Sequence, residues 1–310
     1  MRGVLRGWPP VAFKGVLVLP ALLALLTFHD STVVRDVTVA PLEILRTTSM
    51  GSGAPVVFIP GIFGGAYSFR HVTIALVEQG FRCIVIEPLA FGSSAHPGKA
   101  DYSFAAQADR IGSVLDSLGI REALVVAQAG GAAMAYRLAY RRPELVRGLL
   151  SINGGPAETA ATPGLKHALR FGGFLTKLFV GPGTIRKKVW HDLVENSGDT
   201  TWVTGPVVDE YTVGQSTDVN GSIDALRRMS KSKEPESLRD RLNEIHIPVR
   251  LLLGMVEHPS GIKPDEIALL QEQLPDFAID SVAGAGRFIE EEQPHQVIAA
   301  IDRLSVVTGR

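Results

Sequence analysis

An α/β architecture with a mostly parallel central sheet flanked by helices is what this sequence predicts, and three observations carry the prediction. Apolar runs of strand length recur at 56–59, 81–87, 122–126 and 249–254, as expected of strands buried on both faces. Helix-period segments stand between these runs, and alternation of that kind argues for βαβ units. The third run leads through Ala127-Gln128-Ala129-Gly130-Gly131 into the helix-forming residues 132–140. A strand that turns into a helix through small residues exposes its central residue on a tight turn. Here that residue is Ala129.

Each element has its own local signal. Residues 33–39 and 42–46 are β-prone around Pro41 and predict an antiparallel hairpin. A turn at Gly51-Ser52-Gly53-Ala54-Pro55 leads to the buried run 56–59, which ends in Pro60-Gly61-Ile62-Phe63-Gly64-Gly65. Loops at that end of parallel strands are where ligands bind in open α/β sheets. Residues 72–78 read as a helix stopped by Gly80, and 81–87 as a strand closed by Pro88. Residues 104–118 place Ala108, Ile111, Leu115 and Leu118 on one helical face, with Gly119 as the stop. A strand is expected over 145–152.

Between 153 and 247 the rhythm breaks. This stretch holds Pro156, Pro163, Pro182, Pro206, Trp190 and Trp202, with helix-like segments near 165–179 and 223–229. It reads as an inserted helical lid. A strand at 249–254, a helix at 264–274, a strand at 277–282 and a helix at 294–304 complete the pattern. The expected organisation is an N-terminal anchor or apolar helix over 1–30, a core in two parts over 31–153 and 248–310, and the lid over 154–247.

The chain of 310 residues is 45% hydrophobic and 20% charged, ordinary for a globular protein. Its net charge of −1 gives no electrostatic reason to expect nucleic acid as a partner. The single cysteine, Cys83, sits in an apolar run and reads as a small buried hydrophobe. Arg2 and Arg6 precede residues 11–28, which are apolar apart from Lys14 and Thr27. That segment predicts an uncleaved signal anchor with the folded domain outside the cytoplasm. The rival expectation is an apolar helix on a soluble cytoplasmic protein.

From about 33 to 304 the stations resemble the α/β-hydrolase family in their order. Val56-Val57-Phe58-Ile59-Pro60-Gly61 resembles the strand and loop that supply half of an oxyanion hole, with Pro60 where histidine is usual. Val125 to Gly131 resembles the strand and Gly-x-Ser-x-Gly elbow. Residues 247–254 resemble the strand before the acid residue, and the acid there is Glu257. Gly284-Ala285-Gly286-Arg287-Phe288 resembles the loop that presents the catalytic histidine, and Glu292 and Pro294 fit the residues that often come after that histidine. The resemblance implies a hydrolase scaffold whose triad positions read Ala129, Glu257 and Arg287.

An alanine methyl group cannot attack a carbonyl or carry an acyl group, and arginine does not accept a proton near neutral pH. The oxyanion donors that the resemblance implies are backbone N–H groups of Ile62 and Gly130, which survive those losses. Arg287 is expected to pair with Glu257 as a buried ion pair, ahead of a role in binding an anion. No metal-ligand spacing and no cofactor fingerprint is found, and His71, His258 and His295 read as ordinary histidines. Ser68, Ser93, Ser94 and Ser151 lie near the same edge, but none on an elbow.

The leading expectation is a membrane-anchored, non-hydrolytic binding or scaffold protein for a small apolar carbonyl or carboxylate ligand, or for a protein partner held by the lid. The alternative is an enzyme that uses Glu257 and the backbone donors without a covalent intermediate. A third reading makes the lid an interface in a membrane complex, with the pocket vestigial.

Overall fold

A computed structural model describes residues 32–159 and 181–309. Residues 11–28 and the helix expected over 165–179 lie outside the described residues. Among the described residues, no helix is long and apolar enough to cross a membrane.

Eight strands form one sheet in the order β1-β2-β4-β3-β5-β6-β7-β8. β1 (Val33–Ala40) and β2 (Glu43–Met50) make the expected hairpin, and β2 also runs antiparallel to β4 (Phe81–Ile86). All other pairings are parallel: β3 (Ala54–Ile59) lies between β4 and β5 (Ala123–Gln128), followed by β6 (Val146–Ile152), β7 (Val249–Gly254) and β8 (Phe277–Val282).

The side-chain period of two explains why these strands read as unbroken apolar runs. Val57, Ile59, Ile84, Ile86, Val125 and Ala127 enter one core, beneath α2 (Phe104–Ser117) and α3 (Gly130–Arg141). Their neighbours Val56, Phe58, Cys83, Val85, Leu124 and Val126 enter a second core on the opposite face, beneath α1 (Arg70–Glu78). Each of these residues is at most 1% exposed. Burial of each large aliphatic side chain contributes about 1.5–3 kcal/mol, so a polar residue in either register would be costly. Cys83 is one of them, and burial pushes its thiol up to about 12. At neutral pH it is an inert thiol.

Between β6 and β7 stand α4 (Pro182–Glu195), α5 (Gly205–Thr217) and α6 (Val219–Met229). Only α6 coincides with a helix expected from the sequence. Val189, Leu193, Val208 and Tyr211 of α4 and α5 form a third core with Phe288, and Phe63 and Tyr67 pack against it. The inserted helices therefore rest on the two loops that flank the candidate site. After β7 come α7 (Pro264–Gln273), the short α8 (Ile289–Glu292) and α9 (Pro294–Val307).

Candidate functional site

The site is built along the C-terminal edge of the parallel strands, where β3, β5, β7 and β8 deliver the predicted stations side by side. Ala129 joins β5 to α3 with φ 47° and ψ −114°. A side chain at positive φ meets its own backbone, so this conformation costs of order 1–3 kcal/mol and persists only where its surroundings enforce it. Those surroundings are visible. The Ala129 N–H donates to Ile152 O at 2.9 Å, and its carbonyl accepts from Ala132 N at 3.0 Å. Two glycines let the backbone close around it: a Cβ on Gly131 would lie 2.5 Å from Ile59 O, and one on Gly154 would lie 2.5 Å from Ala129 O. The elbow is fully formed around a methyl group.

Gly130 opens α3, so its N–H has no acceptor within the helix. Ile62 is its neighbour in space: a Cβ on Gly130 would lie 3.9 Å from Ile62 Cγ1. Among the described residues no hydrogen bond is found for the Ile62 N–H. The Ile62 carbonyl accepts from Gln215 Nε2 of α5 at 2.9 Å. Ala129, Gly130 and Ile62 are all partly accessible. N–H groups on two neighbouring residues are the donors that an oxyanion hole uses, but no side chain at the elbow can attack a bound carbonyl.

The acid and histidine stations overturn one expectation. Arg287 does not pair with Glu257. Its Nη1 donates to Asp192 Oδ2 at 3.2 Å, an ion pair whose side chains are 12% and 27% exposed. The physical reason is α4, which the sequence pattern did not predict and which carries Asp192 to this loop. The backbone repeats the contact, with Arg287 N donating to Asn196 O at 2.7 Å. Glu257 faces solvent on the loop after β7 and makes no ion pair with a described residue. Arg287 Nε is buried and unpartnered among the described residues, as is His258 Nδ1. Burial, and then the charge of Arg287, pushes the half-buried His258 below its ordinary range, with Asp192 opposing.

Two further residues hold this corner, and the sequence did not single out Asn153. It sits at the end of β6 with φ 49°. Its Oδ1 accepts from Gly254 N at 2.9 Å, while its Nδ2 donates to Gly286 O and Arg287 O at 3.0 and 3.2 Å. Glu292 accepts from Gly198 N at 2.7 Å, Asp199 N at 2.9 Å and Gly286 N at 3.1 Å, tying the loop after β8 to the end of α4. Asparagine tolerates left-handed backbone, which is the one local signal that marks position 153.

The alternative serines are structural. Ser151 is fully buried and donates to Gly154 O at 2.7 Å, Ser68 donates to Gly65 O at 2.9 Å, and Ser94 donates to Glu87 O at 2.7 Å. Ser93 offers its backbone N–H to Glu87 at 2.6 Å. His71 lies 3.9 Å from Glu291, and His295 lies 3.3 Å from Gln296 on the surface. Among the described residues no group of three or more His, Cys, Asp or Glu side chains is arranged to hold a metal.

With this geometry the chain can be set beside known proteins. A family model described as alpha/beta hydrolase fold matches residues 54–185. The chain is 24% identical over 257 residues to the sn-1-specific diacylglycerol lipase ABHD11 of Mus musculus, covering 79% of each. It is 32% identical over 120 residues to a haloalkane dehalogenase of Agrobacterium fabrum, covering 39% of this chain and 38% of that protein. Among solved structures, the epoxide hydrolase CorEH superposes with a TM-score of 0.75 at 20% identity, covering 89% of this chain and 99% of that one. Strand order, elbow and matching sequence agree, and the chain has the α/β-hydrolase fold.

Proposed function

We propose that this protein binds a small, partly apolar ligand through a carbonyl or carboxylate group at the elbow, and does not hydrolyse it. One observation carries the reading. The elbow keeps its costly backbone, φ 47° and ψ −114°, although the residue at its tip has no nucleophile. Strain of this kind is maintained by the surrounding structure and clusters at sites of function. The adjacent N–H groups of Gly130 and Ile62 supply donors for an oxygen atom, and the apolar core shared by Phe63, Tyr211 and Phe288 lies beside them. Arg287, spent on Asp192, offers no proton acceptor.

The test is calorimetric titration with octanoate and its methyl ester, run beside a sensitive esterase assay on the same preparation. Saturable binding without turnover is expected, and Ala129→Leu, which fills the space before the donors, should weaken it at least tenfold. Turnover that persists through stringent purification would overturn the reading.

A second reading is favoured by the exposure of Glu257, which no described ion pair engages. There Glu257 acts as a general base on water while the backbone donors stabilise the developing oxyanion. Measured turnover that is lost in Glu257→Gln and kept in Ala129→Gly would establish it in place of the first.

A further inference from the structure

Beside the loop that carries Ile62 lies a cavity of about 200 Å³, whose lining contains none of Ala129, Glu257 or Arg287. It is bounded by the β1–β2 hairpin, the turn after Ile62, the loop after β4, and α5. At roughly 30 Å³ for each water-sized unit, it holds a ligand of about six to eight non-hydrogen atoms. Arg46, Tyr67, Glu87, Glu210, Tyr211 and Gln215 give its walls their chemistry.

Gln215 is 4% exposed, and its amide orientation is fixed because Nε2 donates to Ile62 O at 2.9 Å. Its carbonyl oxygen is consequently an acceptor, buried and without a partner among the described residues. Leaving such an acceptor unmatched is unfavourable, and a donor that reaches it from the cavity relieves it. The charge of the walls says what kind of donor. Glu87, 5% exposed, has one oxygen on the Ala66 N–H at 2.9 Å and the other on the Ser93 N–H at 2.6 Å. Each of those oxygens keeps further acceptor capacity. Glu210 adds a second carboxylate at the exposed side. The one cationic lining residue, Arg46, is already engaged bidentately, with Nε 2.5 Å and Nη2 3.1 Å from Asp36. Burial pushes the Glu87 carboxyl up, while its bonds from Ser93 and Ala66 and the charge of Arg46 oppose that shift, so the cavity offers two carboxyl groups and an unmet acceptor. The rings of Tyr67 and Tyr211 meet edge to face at 6.1 Å beside them; the Arg70 guanidinium already stacks on Tyr67, 3.9 Å from its ring centre, which leaves Tyr211 as the aromatic wall.

We infer that this cavity is a binding site for a small organic ammonium ion, with Gln215 Oε1 and the Glu87 and Glu210 carboxylates as its acceptors. It goes beyond the reading of the elbow and does not depend on it. Neutral alcohols satisfy Gln215 alone and carboxylates are repelled, so the three chemistries are separable by size-matched probes.

The experiment titrates ¹⁵N-labelled full-length protein with n-propylammonium, n-propanol and propionate at constant ionic strength. The readout is the Gln215 side-chain amide together with the backbone resonances of Gly65, Ala66 and Ser93. Propylammonium is expected to shift these signals saturably and at least tenfold more tightly than propanol, with no effect from propionate. Glu210→Gln, at an exposed position that keeps the fold, should weaken propylammonium about threefold to tenfold and leave propanol unchanged. Gln215→Met should remove the preference, with its thermal transition recorded to confirm folding. Equal response to propanol and propylammonium, no response at millimolar concentration, or indifference to Glu210→Gln would overturn the assignment. Ala129→Leu leaves these shifts intact, so failure here and failure at the elbow are separate results.

Discussion

Arg287 Nη1 stands 3.2 Å from Asp192 Oδ2, so the residue at the histidine station is committed to the inserted helices and away from the acid station. In the triad a carboxylate orients the imidazole that activates the nucleophile. Here the loop after β8 instead fastens α4 over the same edge, through an ion pair, the bond from Arg287 N to Asn196 O, and Glu292 on the Gly198 and Asp199 amides.

That fastening is measurable. Arg287→Ala strands Asp192, which is 27% exposed and so partly reached by water. The expected cost lies between exposed and fully buried pairs, about 1–3 kcal/mol. Hydrogen exchange should accelerate in α4 and in residues 196–199 while the amides of β5 and β6 stay protected. Equal protection of α4 in wild type and variant would show that the ion pair does not hold the insertion.

The elbow makes the opposite prediction. Ala129→Gly removes a Cβ from a backbone that disfavours one, φ 47°. Relief of about 1–3 kcal/mol is offset by the extra freedom glycine gains in the unfolded chain, about 0.4–1 kcal/mol. A net stabilisation of about 1 kcal/mol is expected in urea denaturation, without a change in slope. A loss of stability would mean that the methyl group packs usefully and that strain is not its main effect.

Much of this was legible from residue order, and the reasons are physical. Strands buried on both faces announce themselves as apolar runs, so β3, β4, β5 and β7 were found close to their true limits, and the elbow between β5 and α3 followed from its small residues. Helices α4 and α5 leave little trace in the sequence because their apolar residues are scattered among charges such as Lys187, Lys188 and Asp209. Both carry a proline at the start of the helix, Pro182 and Pro206, which was the available signal. Long-range pairs leave no local trace. Arg287 and Asp192 are 95 residues apart, and Gln215 and Ile62 are 153 apart.

Asn153 joins three chain segments with one side chain, and its replacement should be severe for a residue that touches no ligand. Asn153→Ala removes the acceptor of Gly254 N and the donor to two carbonyls, Gly286 O and Arg287 O. Each buried group left unmatched costs about 1–3 kcal/mol. With partial relaxation, a total loss of about 2–4 kcal/mol is expected, and Asn153→Asp should be no better because a carboxylate cannot donate to either carbonyl. Thermal denaturation of both variants checks this. An Asp variant as stable as wild type would show that the bonds to the carbonyls contribute little.

Glu290 is expected to make the fold less stable as pH rises. It is 1% exposed on α8, and neither carboxylate oxygen has a partner among the described residues. Burial pushes its carboxyl well above the usual range. Its own backbone N–H opposes the shift, the charge of Glu291 adds to it, and Arg287 opposes it again. The sign follows from linkage: the folded chain holds this proton more tightly than the unfolded one, so its contribution is complete below the unfolded value, about 4.3. It is lost as pH rises toward the folded value. Glu290→Gln keeps the shape and the neutral state but cannot ionise. Wild type and variant should therefore show a constant stability difference below about pH 4. Above it, wild type should fall behind by up to about 1.4 kcal/mol per pH unit, the slope of a single proton. The check is urea denaturation of both proteins from pH 4 to 9. Parallel curves across that range would show that Glu290 does not titrate between the folded and unfolded states. Curves that diverge and then run level would locate the pH at which the folded protein gives up this proton.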